Sequence, residues 1–234
     1  KKICKEQKIY FIEDAAQSHG AKQGKINVGD NSIAAAYSFY PGKNLGAWGD
    51  GGMVTTNSLN LYKKMFKIRN FGSKKKYFHD LKGINTKLQP IEGIVLQQKL
   101  KYLDEWNKER EEIANTYLDS LKNINKLVLP KIFKKNKHVW HLFVVEVENR
   151  NKFINYLNTN NIETGIHYPF PIIKQKAYDS HCQKQEVFKK AFSQHKKLVS
   201  LPIFPKMKKE ELNYVIKTII IINITHKITF NIYD

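Results

Sequence analysis

Cysteine is all but missing from this 234-residue chain: Cys4 and Cys182 are the whole complement. Two thiols make no disulfide framework and have no metal-ligand spacing, which excludes a stapled secreted module or a zinc ribbon and leads us to expect a reducing, cytoplasmic setting. Long apolar stretches are missing too. The run Ile219-Ile220-Ile221-Ile222 stops after four residues, far short of the roughly 18 that a membrane span needs, so a soluble chain with no membrane partner is expected. Acids are in short supply, 21 Asp+Glu against 40 Lys+Arg, for a formal net charge of +19. That balance suggests polyanionic partners. Arginine, however, is confined to Arg69, Arg110 and Arg150, and readers of nucleic acid favour its bidentate fork. Lysines spread through a chain rich in Ile and Asn read as a solvated surface, and nucleic acid is disfavoured as a partner. Lys1 to Lys8 has no apolar stretch of the kind a signal peptide carries, and the chain reads as beginning in mid-protein.

What is present is an ordinary globular composition, 41% hydrophobic and 26% charged, enough for one domain or two small ones. Ile9-Tyr10-Phe11-Ile12, ended by Glu13-Asp14, predicts a buried strand that delivers acids to its C-terminal end, where open α/β sheets hold ligands. Ile33 to Tyr40 predicts a second strand, stopped by Pro41-Gly42. A glycine-punctuated loop over Lys43–Gly52 leads into a third strand at Met53–Thr56. Asn57 or Ser58 caps a helix running to about Arg69 on Leu61, Met65, Phe66 and Ile68, with Gly72 just beyond it. Pro90 opens a long helix through Ile91, Ile94, Val95, Leu100, Leu103 and Trp106, and helix continues through Ile113, Tyr117 and Leu121. Beyond residue 123 the pattern shifts to short elements: a strand at His141–Val147, a helix near Lys152–Asn160 and a strand near Thr164–Tyr168. Ile and Thr runs from Ile219 onward read as strand or as an altered terminus. The predicted domains are residues 1–122 and 123–234.

Asp14 and Gln17 close one strand, and Lys43 sits in a glycine-rich turn after the next. A lysine beside a carboxylate on a neighbouring strand is what pyridoxal 5'-phosphate (PLP) chemistry uses. The amine forms the imine and shuttles a proton, and the carboxylate keeps the pyridine nitrogen protonated. On spacing alone a solvated lysine fits as well. So do Asp14 as a loop cap, Gln17 as a surface amide, Ser38 as a strand hydroxyl and Asn85 as a turn former. His19, His141 and His167 read as structural residues, since no two stand at i, i+4 on a helix, and no metal is expected.

Three ordered motifs, EDAAQSHGA over Glu13–Ala21, YSFYPGKNLGA over Tyr37–Ala47 and GDGGMVTTN over Gly49–Asn57, resemble the DegT/DnrJ/StrS family of PLP-dependent nucleotide-sugar aminotransferases. The likeness continues through Arg69–Gly72, Gly83–Asn85, the helix with Gln97 and Leu100, His141–Phe143 and Ile166–Pro169, from about Ile9 to Lys217. The resemblance implies an α/β protein of PLP fold type I, aspartate-aminotransferase-like, with part of a large domain and a small C-terminal α+β domain. It implies Lys43 as the Schiff-base lysine, Asp14 against the pyridinium, Gln17 by the ring hydroxyl and Ser38 at the phosphate. Asn85 would reach the cofactor of a partner subunit, making a homodimer with shared active sites. His167 and Tyr168 would line the sugar pocket.

The implied reaction carries an amino group from an amino acid, glutamate, to a nucleotide-linked keto-6-deoxysugar. The wording of the Lys43 motif is nearest to enzymes that aminate dTDP-linked 3-keto sugars for amino-sugar and polysaccharide biosynthesis. A 4-keto or UDP-linked acceptor stays open. So do a non-catalytic PLP-fold binding or regulatory protein and an inactive fragment. The chain departs from the family in lacking the N-terminal part of the large domain, in its ending after Ile219, and in having Ser32-Ile33 where many relatives have Gly-Asp.

Overall fold

The computed structural model describes residues 2–181 and 185–230; Cys182 and residues 231–234 lie outside them. Contacts divide the chain into two compact units, Lys1–Lys108 with Phe133–His141, and Glu109–Ile132 with Leu142–Asp234. Residue 123, where the sequence pattern shifts, falls inside the first segment of the second unit.

The first unit begins with helix α1 (Lys2–Glu6) and strands β1 (Ile12–Asp14), β2 (Lys22–Gln23), β3 (Ile26–Asn27), β4 (Ala34–Ser38) and β5 (Gly52–Thr55). Helix α2 (Leu59–Ile68), strands β6 (Ser73–Lys75) and β7 (Phe78–His79), and helix α3 (Pro90–Leu100) follow. Helix α4 (Leu103–Leu121) carries the chain into the second unit, which holds β8 (Leu127–Val128), while β9 (Asn136–Lys137) belongs to the first. The second unit goes on with β10 (Phe143–Val147), α5 (Arg150–Thr159), α6 (Lys189–Gln194), β11 (Leu198–Leu201) and α7 (Lys209–Phe230).

In the first unit β4 is central: it pairs in parallel with β1 and antiparallel with β5. The predicted strand at Ile9–Ile12 is shorter and later than expected. Among the described residues β1 is paired on one edge only, and beyond it a single bond from Ile33 N to Phe11 O (2.8 Å) extends the ladder. Ser58 is the cap of α2, its hydroxyl accepting from Leu61 N at 3.3 Å. The helix predicted to run on from Pro90 past Trp106 breaks at Lys101-Tyr102. There the bonds tighten to i→i−3, Lys101 N to Gln98 O and Tyr102 N to Lys99 O, and Asp104 and Glu105 supply the acids that favour a fresh helix N-terminus. The core of this unit gathers Phe39, Leu45, Ala47, Leu96 and Leu103, with Tyr37 and Leu88 packed against it.

In the second unit β10 lies between β11 and β8. Its side chains alternate, Phe143, Val145 and Val147 buried and the two between them half-buried, as a strand with one committed face must. The strand expected near Thr164–Tyr168 is a single bridge, Gly165 to Ser200. The His167 ring folds back over Gly165, where a Cβ would meet it at 2.6 Å, and the chain then leaves the sheet. The strand expected from Ile219 is helix α7. Leu212, Val215, Ile216, Ile219 and Ile222 are all buried, and their spacing is that of one helix face. Burial at that period overrides the strand preference of β-branched residues. Glu211 reaches back to Lys208 N (2.8 Å) to close the N-terminus of α7. Among the described residues no helix is long and apolar enough to cross a membrane.

Candidate active site

Register places two of the predicted site residues on one sheet face. Asp14 of β1 pairs with Ala36 of β4, and Ala36 in turn with Val54 of β5. Ser38, two residues on, pairs with Gly52. Side chains in register share a face and repeat every second residue, so Asp14 and Ser38 stand on the same side with the small Ala36 and Gly52 beside them. Both sit at the C-terminal ends of parallel strands. Asp14 accepts from Ala16 N through Oδ1 (3.0 Å), which sets its rotamer and leaves the other oxygen open. The Ser38 hydroxyl accepts from Tyr40 N (3.3 Å) and so keeps its own proton to donate.

The opposite face is closed by the loop before β4. Glu13 accepts from Gly29 N (2.7 Å) and from the Ser32 hydroxyl (2.6 Å), which gives the unusual Ser32 a structural task. Thr56 donates to Ile33 O at 2.6 Å. Burial, and then the nearby Glu13 carboxylate, push the Tyr37 phenol above its usual range.

Lys43 lies in a turn that is tied down on both sides of it. Its own N–H closes on Tyr40 O (2.9 Å), and Ala47 N returns to Phe39 O (2.8 Å). A side chain at Gly46 would run into the Pro41 carbonyl oxygen. Helix α3 grips the far side: Lys99 Nζ donates to Gly46 O (2.7 Å) and Glu92 accepts from Trp48 N (2.7 Å). Asn44, buried directly after Lys43, donates to Asn107 Oδ1 (2.8 Å) and Val139 O (2.7 Å). The Lys43 side chain is half-buried.

Under the turn lies His19, 4% exposed and set against the rings of Tyr37 and Phe39. Neither ring nitrogen makes a hydrogen bond among the described residues. Burial lowers the imidazole pKa; the Ser38 backbone nearby opposes that shift and the Lys43 charge adds to it. Burial therefore favours the neutral ring.

The remaining predicted residues are placed as follows. Gln17 is exposed in the turn after Asp14. Asn85 is exposed where the chain bridges back to Asn70. The Arg69–Thr86 segment there is closed main chain to main chain, Phe71 N to Ile84 O (3.0 Å) and Thr86 N to Arg69 O (3.0 Å), with no room for a Cβ on Gly72, against the Leu81 carbonyl, or on Gly83, against Gly72 N. His167 and Tyr168 belong to the second unit; His167 Nδ1 meets the Ser200 hydroxyl at 2.8 Å and Tyr168 is exposed.

Sequence reasoning missed the polar supports, above all Asn107. Its signal was present. Leu103, Asn107, Arg110, Ala114, Tyr117 and Leu121 are all buried and follow a helical stripe in which Asn107 and Arg110 are the polar members.

A family model, that of the DegT/DnrJ/EryC1/StrS aminotransferase family, matches residues 1–220. The chain is 46% identical over 217 residues to a dTDP-3-amino-3,6-dideoxy-alpha-D-galactopyranose transaminase of Aneurinibacillus thermoaerophilus, covering 93% of this chain and 59% of the relative. It is 40% identical over 211 residues to the erythromycin biosynthesis sensory transduction protein EryC1 of Saccharopolyspora erythraea, covering 90% of this chain and 58% of that one. Among solved structures it matches S. venezuelae DesV in complex with a ketimine intermediate with a TM-score of 0.90 at 36% identity, covering 93% of this chain and 59% of that chain. The fold is that of the type I PLP-dependent transferases, and the chain spans under three fifths of the length of these relatives.

Proposed function

This chain belongs to the DegT/DnrJ/EryC1/StrS aminotransferase family, and from that premise we propose that it carries the reactive centre of a PLP-dependent nucleotide-sugar aminotransferase. The donor is an amino acid, glutamate, and the acceptor a nucleotide-linked keto-6-deoxysugar, a dTDP-3-keto sugar, a reading that the likeness to the dTDP-3-amino-3,6-dideoxy-alpha-D-galactopyranose transaminase supports. The observation that carries this reading is the shared face of Asp14 and Ser38, followed after β4 by the anchored turn that presents Lys43.

The residues fit the cofactor. A carboxylate with one oxygen open, a hydroxyl with its proton free and an amine in a fixed turn are the partners for a ring nitrogen, a phosphate and an aldehyde. Ala36 and Gly52 leave that face low enough for a flat ring. When bound, the cofactor supplies an electron sink for the carbon that bears the migrating amine. Asp14 holds a proton on the ring nitrogen by opposite charge. Lys43 would be the nucleophile toward the aldehyde carbon, and its free amine would take a proton from one carbon and return it to another. Ser38 would donate to the phosphate and Gln17 would pack by the ring hydroxyl. Asn85 is assigned to the partner subunit's cofactor in a homodimer, and His167 and Tyr168 to sugar recognition.

The test is reduction with borohydride after incubation with PLP, followed by peptide mapping. The pyridoxyl group is expected on Lys43 in preference to the exposed lysines, and Lys43→Ala is expected to lose it together with transamination, by at least about 10²-fold in rate. Equal labelling of exposed lysines, or full transamination by Lys43→Ala, overturns the reading. Absence of any PLP response with salt-sensitive binding to a duplex would favour a non-catalytic role instead.

A further inference from the structure

The loop after Asp14 and the turn around Lys43 are separate in sequence, yet one buried side chain of the first unit holds both. Asn107, 1% exposed on α4, donates from Nδ2 to His19 O (2.8 Å) and accepts at Oδ1 from Asn44 Nδ2 (2.8 Å). Asn44 spends its second N–H on Val139 O (2.7 Å), and its own oxygen meets His141 Nδ1 at 3.1 Å, so His141 carries its proton there. The carboxamide is also sterically framed. A Cβ on Gly20 would come within 2.9 Å of Asn107 Nδ2, so the glycine that ends the EDAAQSHG stretch leaves the space it occupies.

We propose that Asn107 is a positioning residue that couples the Asp14–Gly20 loop to the Lys43 turn and so sets the spacing of carboxylate and amine; for its meaning in catalysis this rests on the function proposed above. The chemistry of the side chain suits that task. A carboxamide offers a donor and an acceptor on separate atoms of one planar group, so it can join a carbonyl of one segment to an N–H of another, which an ammonium or a carboxylate cannot do and a hydroxyl can do only through a single atom. Its burial makes the bridge costly to break, because every lost partner leaves a polar group without water. The role is distinct from core filling: deleting the partner on one segment should be felt on the other.

The test is amide hydrogen exchange, followed by NMR, in the intact chain. The amides of Lys43 and Ala47 report on the turn, and those of Ser18, bonded to Ala15 O, and Ala21, bonded to Ser18 O, report on the loop. Asn44→Ala is expected to raise exchange about five- to tenfold at Ser18 and Ala21 as well as at Lys43 and Ala47. Asn107→Leu should do the same, and the double variant should add little to it, as expected of groups in one network. Leu121→Ala on the same helix is the control for general destabilisation; it should not raise these four amides together. An Asn44→Ala effect confined to the turn, or additive single effects, would overturn the coupling, and this holds even if Asn107→Leu does not fold. Borohydride trapping of PLP separates the two claims. Trapping at Lys43 should fall about tenfold in Asn44→Ala while that at exposed Lys63 is unchanged. If the unmodified chain traps nothing at Lys43, the proposed function fails, and the exchange pattern still judges Asn107.

Discussion

The two units spend their apolar residues differently. In the second, Phe143, Val145 and Val147 of β10, Tyr117 of α4 and the inner face of α7 are buried together. The Tyr117 hydroxyl is satisfied by Pro202 O at 2.9 Å, and its ring packs on Phe143 at 4.9 Å. In the first, burial concentrates around the Lys43 turn, whereas the sheet face that bears Asp14 and Ser38 stays open: Ile12 is 63% exposed and Val54 46%. The contrast separates two uses of a sheet. One closes on its own helices. The other carries Asp14 and Ser38 on a face where Ile12 and Val54 stay exposed, and directs its packing to the turn that holds Lys43.

Four outcomes sharpen or break that contrast, in descending size. Phe143→Ala is expected to cost about 3–5 kcal/mol, a large part of the stability of a small unit, seen as a lower urea midpoint. Should it cost under about 1 kcal/mol, the second unit is not the self-sufficient one. In the first unit Gly46→Ala places a methyl against the Pro41 carbonyl; about 1–3 kcal/mol and loss of selective PLP trapping at Lys43 are expected, both measurable on one preparation. The third is a pH effect. Burial favours the neutral His19 ring in the fold and its pKa lies below the usual 6.5, so the unfolded chain binds more protons between the two values. Stability from this site is full above about pH 6.5 and declines as the pH falls below it. Melts at pH 7.5 and 5.5 should show the decline, and His19→Gln should flatten it. The smallest effect is on the open face, where Ile12→Thr should change stability by no more than about 0.5 kcal/mol. A loss comparable to that of Phe143→Ala would show that the face is covered after all.

Much of this was legible in the residues. The run from Ile33, cut by Pro41-Gly42, marked β4, and the pair Asn57-Ser58 marked the start of α2, with Ser58 the residue that caps it, because strand and capping signals are local. The family motifs named Asp14, Ser38 and Lys43, and register adds that the first two share a face. What stayed hidden depended on tertiary context. The Ile219–Ile222 run carries a strand preference that only the packed face of α7 reverses. Gly165 looks permissive, yet its lack of a side chain is what lets His167 turn back. The break at Lys101-Tyr102 rests on a shift of hydrogen-bond step that the apolar period running through Leu100, Leu103 and Trp106 conceals. Asn107 stands 63 positions from the Asn44 it binds and 88 from His19, a separation that no motif spans.

The close approach of main chain to Gly72 and to Gly83 leaves the Arg69–Thr86 segment, a finger of closed backbone, no slack. The two backbones lie so close that even one carbon on either glycine would have to displace main chain, not a pliable side-chain tip. In a saturation library these two codons should therefore be almost barren, while the exposed lysines at the fingertip, Lys74 to Lys76, accept nearly anything. The finger would vary in its nail and never in its knuckle.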